Sequence, residues 1–221
     1  MSISTEEEYY SNGTLQERYY YFGDFLHRDD GPAAEFFYED GRLESCSWYY
    51  QDKLHRVEGP AREFFNKEGI SVQQEWYQFG KVHRTDGPAI QSFYGTQALK
   101  SYRWYTLGKL HRKDGPAIEC FYENGALEQH AWYHKDMLHR IGGPAKEVFS
   151  HIGTTIIRGW YNYGKLHYLG GPALEEFSVD GLYSTTSYYL DGERISKLEH
   201  SRRIALQKLS TKARPDNEVF L

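Results

Sequence analysis

The sequence predicts an all-β protein made of tandem 28-residue β-hairpin repeats that form an elongated, twisted antiparallel sheet with a C-terminal α-helical cap. Three observations carry this. Leu-His-Arg or a close variant recurs at His27, His55, His83, His111, His139 and His167, always 28 residues apart. Gly-Pro-Ala follows the same period at Pro32, Pro60, Pro88, Pro116, Pro144 and Pro172. All five tryptophans fall in one column, Trp48, Trp76, Trp104, Trp132 and Trp160, and the position after each is Tyr. A fixed period of this length marks a repeat array. Its wealth of aromatics, 20 Tyr and 12 Phe, suits pleated surfaces better than helices.

Each unit reads in order. Proline opens the first strand, where a missing N–H costs the ladder least. The strand runs through Ala-x-Glu-x-Phe to a turn rich in Asn/Asp-Gly, such as Asp40-Gly41 and Asn124-Gly125, whose residues tolerate positive φ. A second strand ends in Trp-Tyr, and a Gly-Lys turn (Gly80-Lys81, Gly108-Lys109, Gly164-Lys165) leads back to Leu-His-Arg. About six and a half copies occupy residues 1–195. One copy alone buries too little to offset its chain entropy, so neighbours must share a core.

Ser196-Lys197-Leu198-Glu199 has the form of a capping box, and Leu198, Ala205, Leu206 and Leu209 follow at helical spacing. A capping helix is expected over 196–211, its leucine stripe covering the last edge, with a flexible tail at 212–221.

Net charge is −5, yet residues 196–214 hold six Lys/Arg against one Glu, so the repeat body is acidic. An acidic body argues against binding nucleic acid, which requires Lys/Arg along the phosphates. Cys46 and Cys120 fall at different places in the unit and suggest neither disulfides nor a metal motif. The first residues lack both a basic start and an apolar core. A cytoplasmic protein is expected, in the host cytoplasm if the source is viral.

The columns Trp-Tyr-x-x-Gly-Lys-Leu-His and Asp-Gly-Pro-Ala resemble the MORN repeat and, more closely, the MORN-repeat variant of bacterial antitoxin-like proteins and of large DNA viruses and phages. The resemblance covers roughly residues 9–195. It implies a single-layer run of hairpins acting as a scaffold or interaction module, in some members linked to membrane lipids.

No column offers catalytic chemistry, because no Ser or Cys recurs beside the histidines and no phosphate-binding loop precedes a helix. No enzyme activity, metal or cofactor is expected. With two strands per unit, successive histidines lie about 10 Å apart, whereas the ligands of one zinc lie within about 2.1 Å of it. The His column is therefore expected to bond backbone or the recurrent Glu. Glu35, Glu63, Glu119, Glu147 and Glu175 should be partly buried and paired with that His column or with Arg28, Arg56, Arg84, Arg112 and Arg140. Trp and Tyr columns point to opposite faces. Either both rows are covered, or one stays open as a ribbon of anchors.

Specificity belongs where the frame is constant and the residue varies: Ala34, Arg62, Ile90, Ile118, Lys146 and Leu174. The expected function is a non-enzymatic scaffold for protein–protein interaction whose variable column contacts another protein. The alternatives are an antitoxin-like inhibitor of a basic protein, or peripheral lipid binding through the basic C-terminal segment.

Overall fold

The computed structural model describes residues 3–212; the expected tail beyond Lys212 lies outside them. The chain divides into two compact units at Asp136/Met137. In the first, strands Ile3–Tyr9, Leu15–Phe22, Ala34–Phe37, Leu43–Ser47, Arg62–Phe65, Ser71–Glu75, Ile90–Phe93, Leu99–Arg103, Ile118–Phe121 and Leu127–Ala131 lie side by side in chain order. In the second, the order is Lys146–Phe149, Thr155–Gly159, Leu174–Phe177, Ser184–Leu190 and Glu193–Ile195, followed by the helix Lys197–Lys212. Neighbours in both are antiparallel. Neither unit closes on itself, so the repeats build an open hairpin sheet and not a closed solenoid.

The turns follow their residues. In the long hairpin, Tyr38 N–H donates to Arg42 O and Gly41 N–H to Tyr38 O, each at 2.8 Å. Gly41 has φ 86°, as the last residue of a three-residue loop with a glycine bulge requires, and a separate register slip follows in the strands between Phe36 and Phe37. Where Thr96-Gln97 replaces Asx-Gly, Gln97 itself takes φ 66°. Beyond the long strand a second, short hairpin pairs Tyr49–Tyr50 with Lys53–Leu54, and likewise Tyr77–Gln78 with Lys81–Val82. Its two turn residues both have positive φ, for example Phe79 (46°) and Gly80 (80°), the geometry of a type I′ turn.

The alanine of Gly-Pro-Ala is the centre of each unit. Ala33, Ala61, Ala89, Ala117, Ala145 and Ala173 are all 0% exposed. Each joins two hairpins: Ala89 N–H donates to Arg103 O at 2.9 Å, and Ala89 O accepts from Trp76 N–H at 2.8 Å. Among the described residues no large side chain is fully buried. The core is thus a thin row of small residues, flanked by half-buried aromatics.

Successive units are also stitched at both margins. At the long turns, the hydroxyls of Tyr10, Tyr38 and Tyr94 donate to the carbonyls of Phe37, Phe65 and Phe121, one unit ahead, at 2.8, 2.7 and 2.9 Å. Asn66, Ser150 and Ser178 replace Tyr in three copies and cap their own turns instead. At the short turns, Gly80 and Gly108 N–H donate to Leu54 O and Val82 O at 2.8 Å.

The helix starts beside Ser196, whose Oγ accepts from Glu199 N–H at 3.1 Å. The second half of the expected capping box does not form, because the Glu199 carboxylate bonds Arg203 at 2.9 Å. The expected leucine-lined contact is also overturned. Leu198, Leu206 and Leu209 are 72%, 65% and 64% exposed. The helix docks through its opposite face: His200, 6% exposed, bonds Tyr168 O at 2.9 Å and lies 5.1 Å from the Tyr188 ring. The last sheet edge presents a carbonyl and a tyrosine, and an imidazole satisfies both where a leucine would leave the carbonyl bare.

Burial pushes the Cys46 thiol up to about 11, with Glu63 and Glu35 adding to the effect. The folded chain therefore keeps this proton where the unfolded thiol, at its ordinary 9.0, has lost it. That contribution to stability is complete below pH 9 and fades as pH rises to about 11. The urea midpoint should accordingly fall between pH 8 and 10.5, and fall less in Cys46→Ala; equal slopes in the two proteins would refute the assignment.

Candidate interaction surface

Each Leu-His-Arg segment folds over the tryptophan of its own unit. The Arg56, Arg84 and Arg112 guanidiniums lie over Trp48, Trp76 and Trp104 at 4.0, 4.1 and 4.1 Å, and Arg28 lies over Tyr20 at 4.1 Å. Each also donates to the proline carbonyl four residues on, at 3.1 Å for Arg56 and Arg112. In the last copy Tyr168 replaces Arg and stacks on Trp160, ring centroids 5.0 Å apart and tilted by 12°. The glycine before proline makes room for this clamp. A Cβ on Gly31, Gly87 or Gly115 would sit 2.6, 2.8 or 2.9 Å from the guanidinium carbon.

This geometry corrects the expected Glu–Arg pairing. Of the described contacts between those columns, only Arg112–Glu119, at 3.3 Å, follows it. The glutamates are partly buried but face the neighbouring strand. Glu35 is 3.6 Å from Arg18, Glu147 is 3.3 Å from Arg158, and Glu63 accepts from Gln74 at 3.0 Å. Those partners lie directly across the ladder.

The histidines bond backbone, at the turn one unit ahead. Nδ1 of His27, His83, His139 and His167 accepts from the N–H of Gln51, Leu107, Tyr163 and Asp191 at 3.4, 3.3, 3.4 and 3.1 Å. His55 and His111 hold buried Nδ1 atoms without a partner. His55 instead stacks on Phe79, centroids 4.2 Å apart, as His139 does on Tyr163 at 4.0 Å. Among the described residues no group of three or more His, Cys, Asp and Glu is placed to hold a metal ion.

The variable column lies within the sheet. Ala34 is 3% exposed, and Arg62, Ile90, Ile118, Lys146 and Leu174 are half-buried. Arg62 is occupied by Glu75 at 3.8 Å and Ser47 Oγ at 3.3 Å. Trp132 is half-buried like the other tryptophans.

The short-hairpin margin holds what the repeat columns did not reveal. Phe79, Leu107 and Tyr163 sit at φ 46°, 50° and 45°, a backbone region costly for bulky side chains, and are 53%, 57% and 51% exposed. Phe25 (49%) and Tyr50 (43%) lie on the same margin of the first compact unit as Phe79 and Leu107. The signal was present in the sequence: in a two-residue type I′ turn the residue before Gly80, Gly108 or Gly164 must share its positive φ.

Beside this row, three successive clefts open between consecutive Leu-His-Arg loops. The first, about 600 Å³, is lined by Arg28, Trp48, His55, Arg56, Val57 and Glu58. The second, about 510 Å³, brings His55, Arg56 and Glu58 against Trp76, Arg84 and Asp86. The third, about 550 Å³, holds Arg84, Trp104, His111, Arg112, Lys113 and Asp114. They are shallow, repeated and aromatic, with guanidiniums at their rims.

Comparison with protein-family models returned no match, and no curated protein matches the chain. No helix of the described residues is long and apolar enough to cross a membrane.

Proposed function

We propose that this chain is a non-enzymatic scaffold of the MORN-like kind that binds another protein along its short-hairpin margin. The observation that carries the reading is the placement of Phe79 and Leu107 in the first compact unit, a turn geometry that Tyr163 repeats in the second. A left-handed residue of this bulk costs roughly 1–2 kcal/mol, which Asn or Gly would avoid. Stacking on His55 or His139 compensates Phe79 and Tyr163 in part, and Leu107 N–H donates to His83 Nδ1 at 3.3 Å. Strain kept at an exposed apolar position points to a contact outside the chain. Apolar anchors in a row, with polar loops beside them, are what a protein partner uses.

The test is a Phe79→Asn/Leu107→Asn variant used as bait against lysate of the source organism. Asn relaxes both turns, so the melting temperature should hold or rise while the captured partner is lost. Equal capture by both baits, or no protein captured by either, would overturn the reading.

The exposed Leu198, Leu206 and Leu209 favour a second one. Together with Arg202 and Lys208 they give the helix an apolar, basic outer side suited to an anionic membrane surface. Flotation with phosphatidylserine vesicles should then require residues 196–221; flotation unchanged by their deletion would dispose of it.

A further inference from the structure

We infer that the three clefts of the first unit form one groove for a proline-rich segment in the polyproline II conformation, with an acidic residue at its Arg84–Arg112 end. This rests on the scaffold reading and names its partner.

The periods of groove and ligand match. Each repeat advances the sheet by two strands, about 9.6 Å. A polyproline II chain turns once every three residues at about 3.1 Å each, close to 9.3 Å, so every third side chain returns to the same side at the interval of the clefts. A β-strand cannot do this, because its side chains alternate and every third one points away. An α-helix at about 1.5 Å per residue needs more than six residues per cleft, a spacing that drifts around its surface.

Chemistry agrees with the spacing. Each cleft offers an indole whose outer rim is open beside a stacked arginine, the kind of wall against which a pyrrolidine ring packs. Charge sets the direction. The first cleft pairs Arg28 and Arg56 with Asp29 and Glu58, and the second pairs Arg56 and Arg84 with Glu58 and Asp86. The third sets Arg84, Arg112 and Lys113 against Asp114. Only that end has cationic excess for a carboxylate. Acids in the first two clefts disfavour a continuous phosphate chain. Sheet twist of roughly 20–25° per strand turns the groove away from a straight ligand after about three units, which fits a segment of seven to nine residues.

The experiment uses the full chain and fluorescein-labelled nonapeptides of eight prolines with one glutamate, placed at either end, against a Gly-Ser nonapeptide carrying the same glutamate. One proline peptide should bind at least tenfold more tightly than its reverse and than the Gly-Ser control, read by fluorescence anisotropy. The indole N–H resonances of Trp48, Trp76 and Trp104 should shift while that of Trp160, covered by Tyr168, stays. Equal binding of the Gly-Ser peptide, an equal shift at Trp160, or no binding would overturn the inference. So would a single-stranded oligonucleotide that shifts the same three indoles more tightly than the proline peptides. Failure here with loss of a captured protein in Phe79→Asn/Leu107→Asn would leave the scaffold standing and remove only this partner.

Discussion

Replacing Ala89 by Leu should lower stability by about 3 kcal/mol, the upper part of the range for overpacking a core. Ala89 is 0% exposed, and hydrogen bonds to Arg103 on one side and Trp76 on the other hold its backbone. Three added carbons have neither a void to enter nor a backbone free to retreat. The core elsewhere is thin, since among the described residues no large side chain is fully buried, so the strain cannot spread into a deep interior. In a repeat array each unit is stabilised through its neighbours, and a lost interface loosens both sides. Urea unfolding would show the effect as a lower midpoint, compared with Val57→Leu at a site 87% exposed. Equal midpoints for the two variants would mean that the alanine row is not the core.

Much of this architecture was legible because its signals are local. A proline, a two-residue turn and a bulge glycine each act within a few residues, and their recurrence every 28 residues leaves one reading of the hairpins. Ser196 marked the helix start for the same reason. The helix's face was not legible. A leucine stripe suggests burial, but what a helix buries depends on what the sheet edge offers, and that edge offers the Tyr168 carbonyl to His200. The glutamate partners were misread because charge matching ignores register: the ladder sets Arg18 or Arg158 opposite Glu35 or Glu147, whichever loop arginine lies nearby. One clue to the arginine clamp was available. In the single copy where Arg gives way, at Tyr168, another flat side chain takes its place. As for function, the fold could be read from repetition, whereas the strained turn residues emerge only once the short hairpins are known to be type I′.

The clamp leads to the second large effect. Arg112→Ala should cost about 2 kcal/mol, combining a stack on Trp104 at 4.1 Å with charged hydrogen bonds to Pro116 O at 3.1 Å and Glu119 at 3.3 Å. Arg112→Lys should recover less than half, because an ammonium cannot lie flat on an indole while donating in its own plane. Arg112→Tyr should recover more than Lys, following the stack of Tyr168 on Trp160. Gly115 supplies the decisive control. Its Cβ would sit 2.9 Å from the guanidinium carbon, so Gly115→Ala should destabilise the native protein by about 1–2 kcal/mol, the scale of an overpacked contact. In the Arg112→Ala background the same change meets an empty space and should cost almost nothing. The resulting coupling, about 1 kcal/mol or more in a double-mutant cycle, is specific to the clamp. Additive effects of the two substitutions would show that the glycine serves only the turn, and that arginine and glycine were kept for separate reasons.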